Sequence, residues 1–242
     1  MGLGIQRVEE SLTALFPAAR IERMDRDTVN RKGAHEEVLG RLSRHEIDIL
    51  IGTQMLTKGL DFPAITLVGV LQADAALHMP DFRAAERTFQ TLVQVAGRAG
   101  RGDTAGRVLF QTYQPEDTTL KAAVLQDYER FYGEELQRRK AHGFPPFMRL
   151  VRILLTSQNE KEVVEAADKL ENLLLPLEDS GLRLLGPSAA PLERIKGQYR
   201  WHLMLQATQP TLLAQAIEKI EAADLETRTR RVIIDVDPVS ML

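Results

Sequence analysis

The segment Gln94-Val95-Ala96-Gly97-Arg98-Ala99-Gly100-Arg101 concentrates the most chemistry in the fewest residues. Read as a helix, positions 94, 97, 98 and 101 share one face, and Arg98 and Arg101 point the same way. Each glycine inside a helical pattern costs about 1 kcal/mol relative to alanine, a cost a sequence carries where backbone must approach something closely. Guanidiniums on such a surface suit a polyphosphate, because each offers a planar fork of donors to phosphate oxygens. An arginine brought to a γ-phosphate stabilises the charge that develops in phosphoryl transfer. Spacing alone fits a helix end with solvated arginines as well.

Other runs offer phosphate ligands of a milder kind. The apolar stretch Ile47 to Ile51 enters Gly52-Thr53, where Gly52 permits a sharp exit from a strand. Thr53 and Gln54 open the next turn, whose N–H groups and hydroxyl can hold a phosphate without reading a base. Lys58 adds a point charge. On these residues alone a cap explains Gly52-Thr53 more simply, and a turn before Phe62-Pro63 explains Asp61. In Asp25-Arg26-Asp27-Thr28, Arg26 and Thr28 are candidate phosphate ligands, or the run is a turn with Asp as a cap. Asp74 and Asp81 read as helix starts. Nearer the C-terminus, Arg194, Lys196, Tyr199, Arg200 and Trp201 surround Gly197, a basic and aromatic mixture that suits single-stranded or branched nucleic acid. Strand alternation puts Tyr199, Trp201 and Leu203 on one face and Arg200 and His202 on the other. The aromatic stripe then reads as core, and Arg194 and Lys196, in a loop, are the more direct nucleic-acid ligands. Asp235 and Asp237 read as solvent-facing strand residues.

The elements that must position these groups alternate through the first half. Helical spacing over Val8, Leu12, Leu15 and Phe16 stops at Pro17. Short strands follow at Ala19 to Met24, Ile47 to Ile51, Ile65 to Leu71 and Arg107 to Thr112, with helices at Glu36 to Arg44 and Phe82 to Ala96. Such alternation predicts an α/β fold with a parallel sheet covered on both faces. Ligands of such sheets sit at the carboxyl ends of strands, where Asp25 to Thr28, Gly52-Thr53 and Asp74 fall. Residues 115–142 read as one long polar helical connector. Gly143-Phe144-Pro145-Pro146-Phe147 then stops any helix, which sets a boundary between domains 1–142 and 143–242. The second domain reads strand (Leu150–Thr156), helix (Lys161–Leu175), strand (Leu182–Gly186), strand (Tyr199–Ala207), helix (Thr211–Ala223), strand (Arg231–Val236). That βαββαβ order predicts a smaller α+β, ferredoxin-like domain.

Composition narrows the classes. A chain of 242 residues, 44% hydrophobic and 27% charged, has room for two modest domains with real cores. No apolar run reaches the ~18 residues of a membrane span and no signal peptide opens the chain, so no membrane partner and a cytoplasmic location are expected. With no cysteine there is no disulfide framework and no thiolate zinc site, and the five histidines lack metal-ligand spacing, His35 and His45 among them. A net charge of −3 gives nucleic-acid binding no general support. Any such contact must come from local basic groups.

Gln-x-x-Gly-Arg-x-Gly-Arg at 94–101 resembles motif VI of superfamily 2 helicases, and the run from Asp48 to Pro63 resembles their motif V. The wording DILIGTQMLTKGLDFP and DFRAAERTFQTLVQVAGRAGR, with MDRDT near the start, GFPPF at the linker and the closing segments around Tyr199-Arg200-Trp201 and Asp235-Val236-Asp237-Pro238, is similar to the PriA family of replication-restart helicases. The likeness runs over nearly the whole chain. It implies a second RecA-like helicase lobe followed by the family's C-terminal domain, within an ATP-dependent 3′→5′ DNA helicase that remodels stalled or branched forks and starts primosome assembly. It implies catalytic roles for Arg101, Arg98 and Gln94, and nucleotide contacts from Gly59, Asp61, Gly97, Arg98 and Arg101. DNA contacts would come from Arg26, Thr28, Thr53, Gln54 and Lys58, and from Arg194, Lys196 and Arg200. Forked and single-stranded DNA, single-stranded DNA-binding protein and primosome proteins are the implied partners.

No G-x-x-x-x-G-K-[ST] loop is present to cradle phosphates and supply a magnesium ligand. The family carries that loop and its DE-x-H carboxylates on a first lobe, so ATP with Mg²⁺ would be shared with a lobe not found here. Zinc would belong to the family's upstream cysteine-rich module. The expectation is a truncated piece that does not hydrolyse ATP alone. Two alternatives stay open: a non-catalytic module that binds DNA or docks a partner, and another superfamily 2 fork helicase of the RecG kind.

Overall fold

The computed structural model describes residues 4–24, 34–53, 65–97, 106–223, 225–227 and 229–241. The chain sorts into two compact units: residues 1–78 with 85–131, and residues 79–84 with 132–242.

In the first unit, α1 (Ile5–Leu15) leads into β1 (Ile21–Met24), and α2 (Ala34–Ser43) into β2 (Ile49–Gly52). β1 and β2 pair in parallel, Ile21 beside Ile49 and Met24 beside Gly52, which requires the crossover that α2 supplies. Arg20 locks the entry to this pair: its guanidinium reaches Asp48 at 2.7 Å, and its N–H donates to the same carboxylate at 2.8 Å. β3 (Leu67–Val70) and β4 (Arg107–Phe110) form a second parallel pair, linked through α3 (Ala84–Ala96). Ala85, Phe89 and Leu92 recur at helical spacing on α3 and are buried with Ala73, Leu120, Ala122, Ala123 and Phe131. Phe89 stacks on Phe131 at 4.2 Å between ring centroids.

The expected connector helix over 115–142 is two helices, α4 (Thr118–Leu125) and α5 (Tyr128–His142). Asp117 caps the first through the N–H groups of Thr119 and Leu120. Gln126 then turns left-handed (φ 52°), and Asp127 opens the second by accepting from the Arg130 N–H. Two caps within ten residues divide what polarity alone joined. Gly143 (φ 70°) ends α5, with Phe144 N–H on the Arg139 carbonyl at 2.8 Å and Gly143 N–H on the Lys140 carbonyl at 3.3 Å, the paired bonds of a Schellman stop.

The second unit is built on β5 (Arg149–Ser157), α6 (Glu160–Leu174), β6 (Arg183–Ile195), β7 (Gln198–Ala207), α7 (Pro210–Ala222) and β8 (Arg230–Val236). The sheet is antiparallel throughout, in the order β6-β7-β5-β8. Val151, Ile153 and Leu155 of β5 and Leu203 and Leu205 of β7 form one face with Val163, Ala166, Leu170, Leu174, Leu213 and Ala216 of the helices, all nearly solvent-free. Val232 and Ile234 of β8 pack on that core too. β6 corrects the sequence reading, since it runs on to Ile195 instead of ending at Gly186. It forms a hairpin with β7 across Lys196-Gly197, both at positive φ (49° and 80°), the backbone that a two-residue type I′ turn demands. Leu192 and Glu193 belong to a bulge between the Ala189 and Arg194 pairings.

Asp81-Phe82-Arg83, just ahead of α3, sits in this unit as an anchor. Phe82 stacks on Phe144 at 5.3 Å, and the guanidiniums of Arg83 and Arg139 lie over its ring at 5.3 and 5.2 Å. Asp81 accepts from the N–H of Arg83 at 2.9 Å and of Met241 at 3.2 Å.

Candidate functional site

Gln94 stands at the outer end of α3, exposed, on the side away from the buried stripe of Ala85, Thr88, Phe89 and Leu92. The packing of that stripe fixes the rotation of the helix and so turns Gln94 outward. Gly97 follows, exposed, with its N–H on the Val93 carbonyl at 3.0 Å. A side chain at Gly97 would meet the carbonyls of Gln94 and Val93 at an ordinary 3.7 Å, so no described neighbour demands glycine there. Arg98, Arg101, Gly59, Asp61, Arg26, Thr28, Gln54 and Lys58 lie outside the described residues.

The strands that carry those segments are described. Met24 and Gly52 pair at the carboxyl ends of β1 and β2, so the chain leaves both strands at one edge of the sheet. Thr53 is exposed at that edge. Two segments of distant sequence, each read as a phosphate ligand, thus start side by side.

Asp74 is not open to a ligand. It is buried beyond β3 and accepts the Tyr113 N–H at 2.9 Å. Burial pushes its carboxyl up, but the Thr112 hydroxyl and the N–H groups of Tyr113, Asp74 itself and Gln114 outweigh that and hold it below the ordinary carboxylate value. It stitches the ends of β3 and β4 together. The sequence had placed it, correctly, at a strand end, but had not foreseen its burial.

The basic and aromatic cluster divides. Arg194 and Lys196 are exposed. Arg194 lies in β6 rather than in a loop, with its guanidinium 4.8 Å from the Tyr199 ring centroid, a cross-strand pair that holds a charge at the hairpin end. Tyr199 and Trp201 pack against the core beside Leu203, as the alternation predicts. Arg200, on the opposite face, is only 8% exposed and donates to the Leu192 carbonyl at 3.0 Å. Burial, then the charge of Arg152, makes its guanidinium easier to deprotonate than usual. His202 shares that face and is held below the ordinary imidazole value by burial, then by Arg152 and Arg200. The sequence reading missed Arg152 and Arg231 on this face. Only strand register brings them to Arg200, and no local motif marks them. Asp235 faces Arg152 at 3.5 Å and Asp237 pairs with Arg149 at 2.7 Å; both are ion-paired rather than simply solvated. Among the described residues, no group of three or more His, Asp or Glu is placed to hold a metal, and no helix is long and apolar enough to cross a membrane.

Residues 5–103 match the family described as the helicase conserved C-terminal domain, and residues 140–239 match the primosomal protein N C-terminal domain. The replication restart protein PriA of Bacillus subtilis (strain 168) is 43% identical over 244 residues, covering 100% of this chain and 30% of that protein. The protein of the same name from Synechocystis is 41% identical, covering 99% of this chain and 29% of its own length. That of Haemophilus influenzae is 40% identical, at 98% and 33%. The chain spans about a third of the length of the curated relatives it matches. With both domains matched in order and relatives aligned from end to end of the chain, it belongs to the family of the replication restart protein PriA.

Proposed function

We propose that this chain forms the second RecA-like lobe (1–142) and a C-terminal ferredoxin-like domain (143–242) of a cytoplasmic, ATP-dependent 3′→5′ DNA helicase that remodels stalled or branched forks and begins primosome assembly. The observation that carries this is the order of two family matches, helicase C-terminal domain then primosomal protein N C-terminal domain, over residues 5–239. The βαββαβ order and the antiparallel arrangement β6-β7-β5-β8 support the ferredoxin-like reading.

In this reading Gln94, Arg98 and Arg101 reach toward the γ-phosphate of ATP with Mg²⁺ bound on a first lobe, and Gly59, Asp61 and Gly97 contact the nucleotide. The cations stabilise charge in the phosphoryl-transfer transition state. Arg26, Thr28, Thr53, Gln54 and Lys58 hold the DNA backbone. The shared edge at Met24 and Gly52 supports this, because it starts both DNA-contacting segments together. Motif V then touches DNA with one end and nucleotide with the other, which couples hydrolysis to stepping. In the C-terminal domain, Arg194 and Lys196 present charge at the hairpin, and Arg200 lies one strand face away. Single-stranded DNA-binding protein and primosome proteins are its partners, and zinc belongs to a separate cysteine-rich module.

Phosphate release from this chain, with ATP, Mg²⁺ and forked DNA, is expected to stay at background, because the phosphate-cradling loop is supplied by another lobe. In a polypeptide that also carries a first lobe, Arg101→Ala should lower turnover about 10³-fold and leave DNA affinity unchanged. Normal turnover in that variant would remove the arginine from the mechanism.

A further inference from the structure

Strand register places Arg200 of β7, Thr156 of β5 and Arg231 of β8 in one row, since Thr156 pairs with Arg200 on one side and with Arg231 on the other. Neighbouring strands lie about 4.8 Å apart, so the two arginine backbones are about 10 Å apart with a hydroxyl between them. The row lies on the face opposite the helices, because Val232 and Ile234, which alternate with Arg231 and Ile233 along β8, pack on the helix-covered core. Arg231 is exposed and Thr156 partly so.

Charge on this face is lopsided. By strand alternation Arg152, Arg200 and Arg231 share it with Asp235, and that carboxylate faces Arg152. Arg200 is nearly buried, its hydrogen bond goes to the Leu192 carbonyl, and the charge of Arg152 acts on it as a like one. One row back, the buried Nδ1 of His202 has no hydrogen-bond partner. A buried cation beside another cation is costly unless an anion completes the group. Two guanidinium forks flanking a hydroxyl match phosphate oxygens.

We infer that the row Arg200–Thr156–Arg231 binds a backbone phosphate of single-stranded DNA. The inference rests on the DNA-binding reading above and assigns Thr156 and Arg231, which that reading leaves out. A linear ligand is favoured over a point anion. Lys196 sits in the turn that opens β7 at Gln198, and Arg200 lies two residues into that strand, so hairpin and row form one basic path. Ile233, in the adjoining row and 46% exposed, offers an apolar surface beside it.

The test is fluorescence anisotropy of a labelled 20-nucleotide oligo-dT with the full 242-residue chain, titrated at several salt concentrations. Arg231→Glu should weaken binding at least tenfold, Thr156→Val about threefold, and Arg231→Glu should shrink the log-log salt slope by about 0.7, the value of one single-strand phosphate. Arg231 is exposed, so unchanged circular dichroism is expected in that variant. Lys196→Glu on the hairpin tests the broader reading separately. If the chain binds, Lys196→Glu weakens it, and Arg231→Glu and Thr156→Val stay within twofold of the parent, the row is not a phosphate site and the DNA-binding reading stands. If the unmodified chain fails to bind at low salt, both fall. If poly-glutamate competes as well as the oligonucleotide, charge for charge, the row takes an acidic peptide and the inference is overturned.

Discussion

Asp74 and His202 show how a titratable group can be shaped by packing alone. The Asp74 carboxyl lies below its ordinary value because four donors converge on it despite burial. Its stabilisation is therefore present above the unfolded-state value near 3.9 and is lost as pH falls through the folded one. Asp74→Ala leaves those donors unsatisfied and should cost roughly 1–3 kcal/mol, which denaturant titration at pH 7 would measure. His202 is depressed in the same direction, by burial first and then by Arg152 and Arg200. Above the ordinary imidazole value near 6.5 its neutral form suits both states. As pH drops below that value the unfolded chain takes up the proton first, and stability falls. Urea midpoints at pH 7.5 and 5.5 should show that loss, and His202→Gln should reduce it.

Helix ends divide the polar stretch between β4 and β5. Asp117, Gln126 and Asp127 break one polar stretch into α4 and α5, and Gly143 stops α5 in a left-handed turn. A Cβ at Gly143 would lie 2.7 Å from Met148 Sδ. Gly143→Ala therefore meets both a backbone penalty and a clash, and should destabilise by more than about 1 kcal/mol. Gly133, within α5, has nothing within 4 Å of an added Cβ. Gly133→Ala should stabilise by about 0.5–1 kcal/mol through helix propensity. Opposite signs for one chemical change, read from thermal or denaturant midpoints, would check the assignment of both positions.

Across the whole chain, net charge is −3, yet the sheet face and hairpin of the C-terminal unit collect arginines and a lysine. Binding through so local a patch must be strongly salt-dependent. Affinity for oligo-dT should therefore fall steeply between 50 and 200 mM salt, by about sevenfold for two engaged phosphates and about twentyfold for three. A flat salt response would mean that contacts other than phosphate pairing carry the binding.

The sequence by itself determined most element types, the parallel pairing in the first unit and the inward face of Tyr199, Trp201 and Leu203, because periodicity is a local property that burial must obey. It also placed Gln94 near the end of the helix read over Phe82 to Ala96, where the structure leaves it exposed. Caps were legible only in part: Gly143 and the prolines marked their stop, whereas the break at Gln126 carried no glycine or proline to announce it. The length of β6 was hidden by Pro187 and by the bulge around Leu192 and Glu193, which break alternation. Tertiary structure alone decided that Asp74 is buried, that Phe82 anchors on Phe144, and that Arg231, Thr156 and Arg200 lie in a row. Each of these joins residues far apart in the chain, and register and packing between such segments are set by the whole core rather than by any window of sequence.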